Sequence, residues 1–122
     1  MSARRLIAAF ALVAAVVGIA ASSVLGARNQ TQTTTVKVRA GVGNALKFSL
    51  SRKTAPAGTV KFVVTNVSAI PHDFSISGKK TPTLGNGKSA TLTVKLSKGK
   101  HSYKCTIDGH AAAGMKGIFT ST

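Results

Sequence analysis

The sequence predicts an all-β domain, an antiparallel sandwich or barrel of about seven short strands. Three observations carry that prediction. Apolar residues recur with period two along most of the chain after residue 35. Glycine- and proline-containing turn signals separate these runs, and no stretch after residue 30 keeps a helical period.

The first 27 residues stand apart from this pattern. Arg4 and Arg5 precede an uninterrupted run of apolar and small residues from Leu6 to Ala21, and Ser22, Ser23, Gly26 and Ala27 follow as small residues suited to cleavage. A positive start, an apolar stretch and a small-residue end describe an export signal. The run is slightly shorter than the roughly 20 residues of a membrane span, so an uncleaved N-terminal anchor is the alternative. No cysteine lies near the end of the run, which argues against a lipoprotein anchor. Residues 28–35 are polar and read as a linker, and residues 36–122 form the expected domain.

Within that domain the strands follow in order. Val36 and Val38 alternate with Lys37 and Arg39; Leu46, Phe48 and Leu50 alternate with Lys47, Ser49 and Ser51; Val60, Phe62 and Val64 alternate with Lys61 and Thr65. Phe74 and Ile76, then Leu92, Val94 and Leu96, repeat the pattern. Tyr103 and Cys105 alternate with Ser102 and Lys104, and Ile118 begins a last strand. Gly41 and Gly43, Pro56-Ala57-Gly58, Gly78, Gly85-Asn86-Gly87 and Lys98-Gly99-Lys100 supply the turns.

From Asn29 onward, fourteen Lys and Arg stand against only Asp73 and Asp108, a net charge of +12. The lysines fall on the outward positions of half-buried strands, where they also discourage edge-to-edge aggregation. The charge suits an acidic partner and is compatible with association with an anionic membrane surface. Nucleic acid is not expected, because the basic residues are dispersed and no aromatic lies in an RNA-recognition pattern.

The chemistry concentrates in residues 103–119. This stretch holds the only cysteine, Cys105, then His110, then Met115, the only methionine apart from Met1. A thiolate, an imidazole and a thioether on one short loop suit a soft transition-metal ion. In an exported domain a lone cysteine has no disulfide partner and is either a free or a working thiol. A second histidine must come from elsewhere. His101 lies four residues before Cys105 in the same expected strand, about 13 Å away at 3.3 Å per residue. Metal bonds of about 2–2.3 Å cannot span that separation. His72, in Pro71-His72-Asp73-Phe74 at the start of a strand, can fold back onto the loop.

His72-Asp73-Phe74 together with Tyr103-x-Cys105-x4-His110-x4-Met115-x-Gly117 resembles the cupredoxins, the small blue copper proteins, over roughly residues 34–122. The loop spacing is more similar to rusticyanin- and sulfocyanin-type proteins than to plastocyanin. The resemblance implies a Greek-key sandwich binding one copper ion, cycling between Cu(I) and Cu(II). It makes His72, Cys105 and His110 equatorial ligands and Met115 the axial one. It implies that Asp73 and Thr106 tie the ligand loops together, with Asn66 a weaker candidate, and that Tyr103 forms a tyrosine corner bonded to backbone. It also implies that His110, beside the bland Ala111-Ala112-Ala113-Gly114, is the port for electrons. Lys79, Lys80, Lys104 and Lys116 would then surround that patch and favour a redox protein with an acidic docking face.

The expected function is therefore one-electron transfer outside the cytoplasmic membrane by a monomer that is periplasmic, cell-surface or secreted. Copper delivery, storage or resistance without a redox partner is the alternative. Enzyme activity is not expected: three histidines, one cysteine and two acidic residues in all cannot supply a trinuclear copper centre, a binuclear one or an acid–base pair. Asn66-Val67-Ser68 also matches a glycosylation acceptor.

Overall fold

A computed structural model describes residues 32–122, and the expected export segment lies outside them. Nine strands lie among the described residues: β1 (Thr34–Ala40), β2 (Phe48–Leu50), β3 (Thr54–Ala55), β4 (Gly58–Asn66), β5 (Ser75–Ile76), β6 (Lys79–Lys80), β7 (Ser89–Leu96), β8 (Gly99–Lys104) and β9 (Lys116–Ser121). They form two sheets, one ordered β2-β1-β4-β7 and the other β3-β9-β8-β5-β6. The only helical turn among the described residues is the 3-10 turn Val42–Asn44.

The period-two reading holds where strands are long. In β1, Val36, Val38 and Ala40 are buried while Thr35, Lys37 and Arg39 face outward. In β4, Val60, Phe62, Val64 and Asn66 are buried in alternation. Val36, Val38, Val60, Phe62 and Val64, with Val94 and Leu96 from β7, form one core with Ile76, Tyr103 and Phe119 from the other sheet and with Phe74 just before β5. Phe62 sits at the centre, 5.2 Å from the Phe74 ring and 5.3 Å from Phe119, centroid to centroid. Such contacts add to the area each ring removes from water.

The sheets depart from expectation in being mixed. β1 pairs β4 in parallel, and β3 pairs β9 in parallel, while the other pairings are antiparallel. The cause is connectivity. β2 lies beside β1, but β3 crosses to the other sheet, so the chain re-enters alongside β1 in the same direction. β3 and β6 have two residues each, too short to show any period in sequence. Leu46 is not in a strand: residues 41–47 turn back on themselves, with Gly41 N–H bonded to Lys47 C=O at 2.9 Å.

Tyr103 also departs from its expected role. Its ring stacks on Phe74 (5.5 Å) and meets Phe48 edge-on (5.8 Å). Its hydroxyl lies over its cross-strand partner Gly117, where a Cβ would overlap it, and takes no backbone partner among the described residues. An aromatic ring covering a strand glycine replaces the corner hydrogen bond.

Candidate metal centre

Three ligand-type side chains from two distant segments converge at one end of the sandwich. His72 is held by a two-way backbone bridge to Leu84: His72 N–H to Leu84 C=O at 3.1 Å, and Leu84 N–H to His72 C=O at 2.7 Å. Cys105 follows β8 directly, and Met115 immediately precedes β9. Cys105 N–H donates to Met115 C=O at 3.0 Å, and Met115 N–H donates to His110 C=O at 3.0 Å. The β8–β9 register therefore closes the loop 105–115 at its base, leaving His110 to reach over from its middle.

One ligand atom each from His72, Cys105 and His110 lies within 4.8 Å of the other two. His72 Nδ1 and His110 Nδ1 are 3.2 Å apart, and Cys105 Sγ is 3.5 Å from His110 Nδ1. Met115 is fully buried and packs with Cys105 and Ala40 in a small apolar cluster bordered by Leu46 and Ile107. His101 is elsewhere, its Nε2 2.7 Å from Ser97 C=O beside the turn between β7 and β8. The four sequence-predicted residues are thus brought to one loop cluster, and the excluded histidine is not.

Burial tunes the donors. It lowers the pKa of His72, with His110 adding to that effect and Asp73 opposing it, so His72 favours the neutral imidazole that ligates metals. Burial also pushes the Cys105 thiol up, opposed by the backbone N–H groups of Asp73 and Ile107. A metal would have to displace that proton. Two imidazole nitrogens and a sulfur facing one another, with a thioether packed alongside, form a donor set that suits one copper ion.

Polar side chains fix the loops. Asp73 Oδ1 accepts from Thr106 N–H at 2.6 Å and Oδ2 from the Thr106 hydroxyl, which ties the histidine segment to the cysteine segment. Asp73 N–H points at Cys105 Sγ at 3.5 Å. Asn66 does a different job from the one expected. It is buried, and its Nδ2 donates to Ile70 C=O (2.7 Å) and Leu84 C=O (2.8 Å), while its Oδ1 accepts from Ser68. It pins the approach to His72 without touching the cysteine loop. With both amide hydrogens used in the interior, it is no glycosylation acceptor.

Sequence reasoning missed Gly41. It adopts φ 78°, ψ 35°, and a Cβ there would lie 2.8 Å from His72 Nε2 and 2.6 Å from Ser68 Oγ. Among the described residues His72 Nε2 is buried without a hydrogen-bond partner, and Gly41 packs against that edge of the ring. The turn signal was visible in sequence, but the approach to a residue 31 positions away was not.

The cupredoxin-like domain model matches residues 8–116. No curated protein matches the chain. Among solved structures, dithionite-reduced auracyanin from the photosynthetic bacterium Roseiflexus castenholzii is 22% identical, with a TM-score of 0.63 over 75% of this chain and 98% of that one. Auracyanin A, a "blue" copper protein of Chloroflexus aurantiacus, is 16% identical, with a TM-score of 0.62 over 75% of this chain and 100% of that one. Rusticyanin from Thiobacillus ferrooxidans is 22% identical, with a TM-score of 0.63 over 74% of this chain and 77% of that one. At these identities the structural likeness speaks for the fold, and the family model spans most of the chain. The chain belongs to the cupredoxin-like family.

Proposed function

We propose that the protein is a one-electron carrier working outside the cytoplasmic membrane, with residues 1–27 as export segment, 28–35 as linker and 36–122 as the copper domain. His72, Cys105 and His110 would hold the ion, with the Met115 thioether as a fourth, weaker donor. The observation that carries this reading is the convergence of two Nδ1 atoms and one Sγ from segments tied together by Asp73 and Thr106. When bound, copper supplies exchange of one electron between Cu(II) and Cu(I).

The chain's own residues supply the rest. Buried His72 stays neutral, Cys105 offers its sulfur after losing its proton, and the backbone closure at Met115 keeps the three segments in place. A donor set fixed in this way needs little rearrangement when an electron arrives or leaves. His110 is half-buried beside exposed Ala112, Ala113 and Gly114, so its ring edge gives a partner a close approach.

The docking face is on the adjacent sheet. Lys116, Lys104, Ser75 and Lys80 stand in one cross-strand row over β9-β8-β5-β6, at about 4.8 Å per strand. Lys104 and Lys116 border a shallow cleft of about 520 Å³ that includes exposed Ile118. In the chain Lys104 directly precedes Cys105 and Lys116 directly follows Met115, and the row suits a redox protein with an acidic face, engaged by a monomer. Lys79 pairs with Ile76 and lies outside the row. If charge steers docking, electron transfer with an acidic partner slows as salt rises, while transfer with a basic partner speeds up. The same salt dependence for both would refute steering.

Addition of Cu(II) to the purified mature domain is the direct test. An intense blue or green charge-transfer band that vanishes in Cys105→Ser establishes a copper–thiolate site, and no band in the wild type refutes it. Fast copper release combined with slow electron exchange would instead establish copper handling.

A further inference from the structure

The outer face of the β2-β1-β4-β7 sheet takes no part in the copper site, yet its charges are ordered. Arg39 and Lys37 on β1, Lys61 on β4 and Lys95 on β7 are all exposed. The strand register sets them in single file. Lys37 and Arg39 are two positions apart on one strand, about 6.6 Å. Lys37 is opposite Val63, Lys61 is opposite Thr35 and Thr93, and Lys95 is opposite Thr59. Lys61 is therefore one diagonal step from Lys37, and Lys95 one diagonal step from Lys61, each about 7–8 Å. The file crosses three strands, from Arg39 beside Ala40 in the cluster around Met115 to Lys95 at the far end of β7.

No acidic side chain on this face answers the charge. The chain's two carboxylate side chains lie elsewhere: Asp73 is bonded to Thr106, and Asp108 is on the loop 105–115. The cations therefore repel one another without relief. Hydroxyls stand beside them, Thr35 and Thr93 flanking Lys61 and Thr59 flanking Lys95, and a hydroxyl donates to an oxyanion. Phe62 of β4 is buried beneath the face, which leaves no ring there for a nucleic-acid base to stack on. The exposed large apolar residues Val67, Ile70 and Ile118 lie off these strands, so the face has no apolar wedge for a bilayer.

We propose that this sheet face is a docking surface for a linear polyanion, an envelope polymer of alcohol phosphodiesters whose charges follow the file from Arg39 to Lys95. The inference rests on the exported location proposed above for the source of the polymer, and it does not depend on copper. Each phosphate meets one cation, with threonine hydroxyls beside Lys61 and Lys95. The opposite sheet with its Lys104 and Lys116 row stays free, as does the edge of His110, so a bound carrier can still meet its redox partner. Exposed single-file contacts are individually weak, which lets the protein slide along the polymer while staying at the cell surface.

The experiment measures binding of the mature, copper-loaded protein to lipid-free poly(glycerol phosphate) by calorimetric titration at low and high salt. Wild type is compared with Lys37→Gln/Lys61→Gln and with Lys53→Gln/Lys100→Gln. Both variants lose the same charge, but only the first lies on the file, since Lys100 is on β8 and Lys53 directly precedes β3. The wild type is expected to bind at low salt and to weaken as salt rises. Lys37→Gln/Lys61→Gln is expected to bind about tenfold more weakly, and Lys53→Gln/Lys100→Gln to stay within about threefold of wild type. Arg39→Gln/Lys95→Gln, at the two ends of the file, repeats the measurement with the same expectation should the first variant fold poorly. Equal losses on and off the file would reduce the attraction to net charge and overturn the proposal, as would no binding by the wild type. Vesicles of phosphatidylglycerol and phosphatidylcholine present the same phosphodiester on a flat surface. If they bind the wild type as tightly as the polymer at equal phosphate, the partner is a membrane and the proposal falls. The charge-transfer band is read on the same samples: its absence in the wild type counts against the copper reading and leaves the binding result standing.

Discussion

Gly41→Ala tests whether the site is positioned by backbone approach as well as by its ligands. Gly41 and Gly43 belong to the same turn and both have positive φ, 78° and 65°. An alanine at either pays the left-handed penalty of about 1–2 kcal/mol. At Gly43 nothing lies within 4 Å of a new Cβ, so the penalty ends there. At Gly41 the Cβ overlaps Ser68 and comes within 2.8 Å of His72 Nε2. Ser68 is 1% exposed and anchored to Asn66 Oδ1 at 2.9 Å, so it has nowhere to retreat. Overpacking costs about 1–3 kcal/mol and the lost Ser68 hydrogen bond about 1 kcal/mol. Gly41→Ala is therefore expected to be about 2–4 kcal/mol less stable than Gly43→Ala. Urea unfolding of the two metal-free variants measures that difference. After copper loading, Gly41→Ala is also expected to show a shifted or weakened charge-transfer band, while Gly43→Ala keeps the wild-type spectrum. Equal destabilisation with identical spectra would refute the idea that Gly41 holds the His72 ring.

Two further predictions follow from the burial of the ligands. Met115→Leu is close in volume at a fully buried position, so it is expected to cost less than about 1.5 kcal/mol. It is expected to keep copper and raise the reduction potential, because a weak axial donor to Cu(II) is lost; loss of copper would count against the axial assignment. For the metal-free domain, burial and His110 lower the His72 pKa below 6.5 against the opposing effect of Asp73. The folded state then binds fewer protons than the unfolded one, so this group's contribution is present above pH 6.5 and lost as pH falls through the folded value. Denaturation series between pH 8 and 5 are expected to show that loss in the wild type and a reduced loss in His72→Phe; equal losses would remove His72 as the cause.

The ligands were legible because their chemistry is local and scarce. With one cysteine and three histidines in the chain, Cys105, His110 and His72 had few rivals, and strand geometry alone removed His101. The long strands were legible for a related reason: β1, β4 and β7 each bury one face, and period two records it. What remained hidden depends on partners distant in sequence. The parallel pairing of β1 with β4 arises because β3 crosses between sheets, which no local pattern encodes. Tyr103 had the sequence position of a tyrosine corner, yet Gly117 across the strand gave its ring a place to lie. Asn66 looked like a sequon until its amide was found bonded to Leu84, 18 residues away.

The interior uses two different materials, and the division follows what each can specify. Between the sheets, Phe62, Phe74 and Phe119 are held by dispersion and burial, which tolerate small shifts if volume is kept. Around the ligands the chain is largely loop, and apolar contact alone would leave its position loose. There the directional contacts are polar: Asn66 to Ile70 and Leu84, Asn86 Nδ2 to Ser68 C=O at 2.7 Å, Asn44 Oδ1 to Ala69 N–H at 3.2 Å, and Asp73 to Thr106. Buried polar groups are costly when unpaired, so each pairing disfavours alternative loop positions as well as stabilising the observed one. The aromatic core thus supplies stability, while these side chains set where His72 stands relative to Cys105. A carrier that must keep one ligand geometry through both oxidation states needs the second as much as the first.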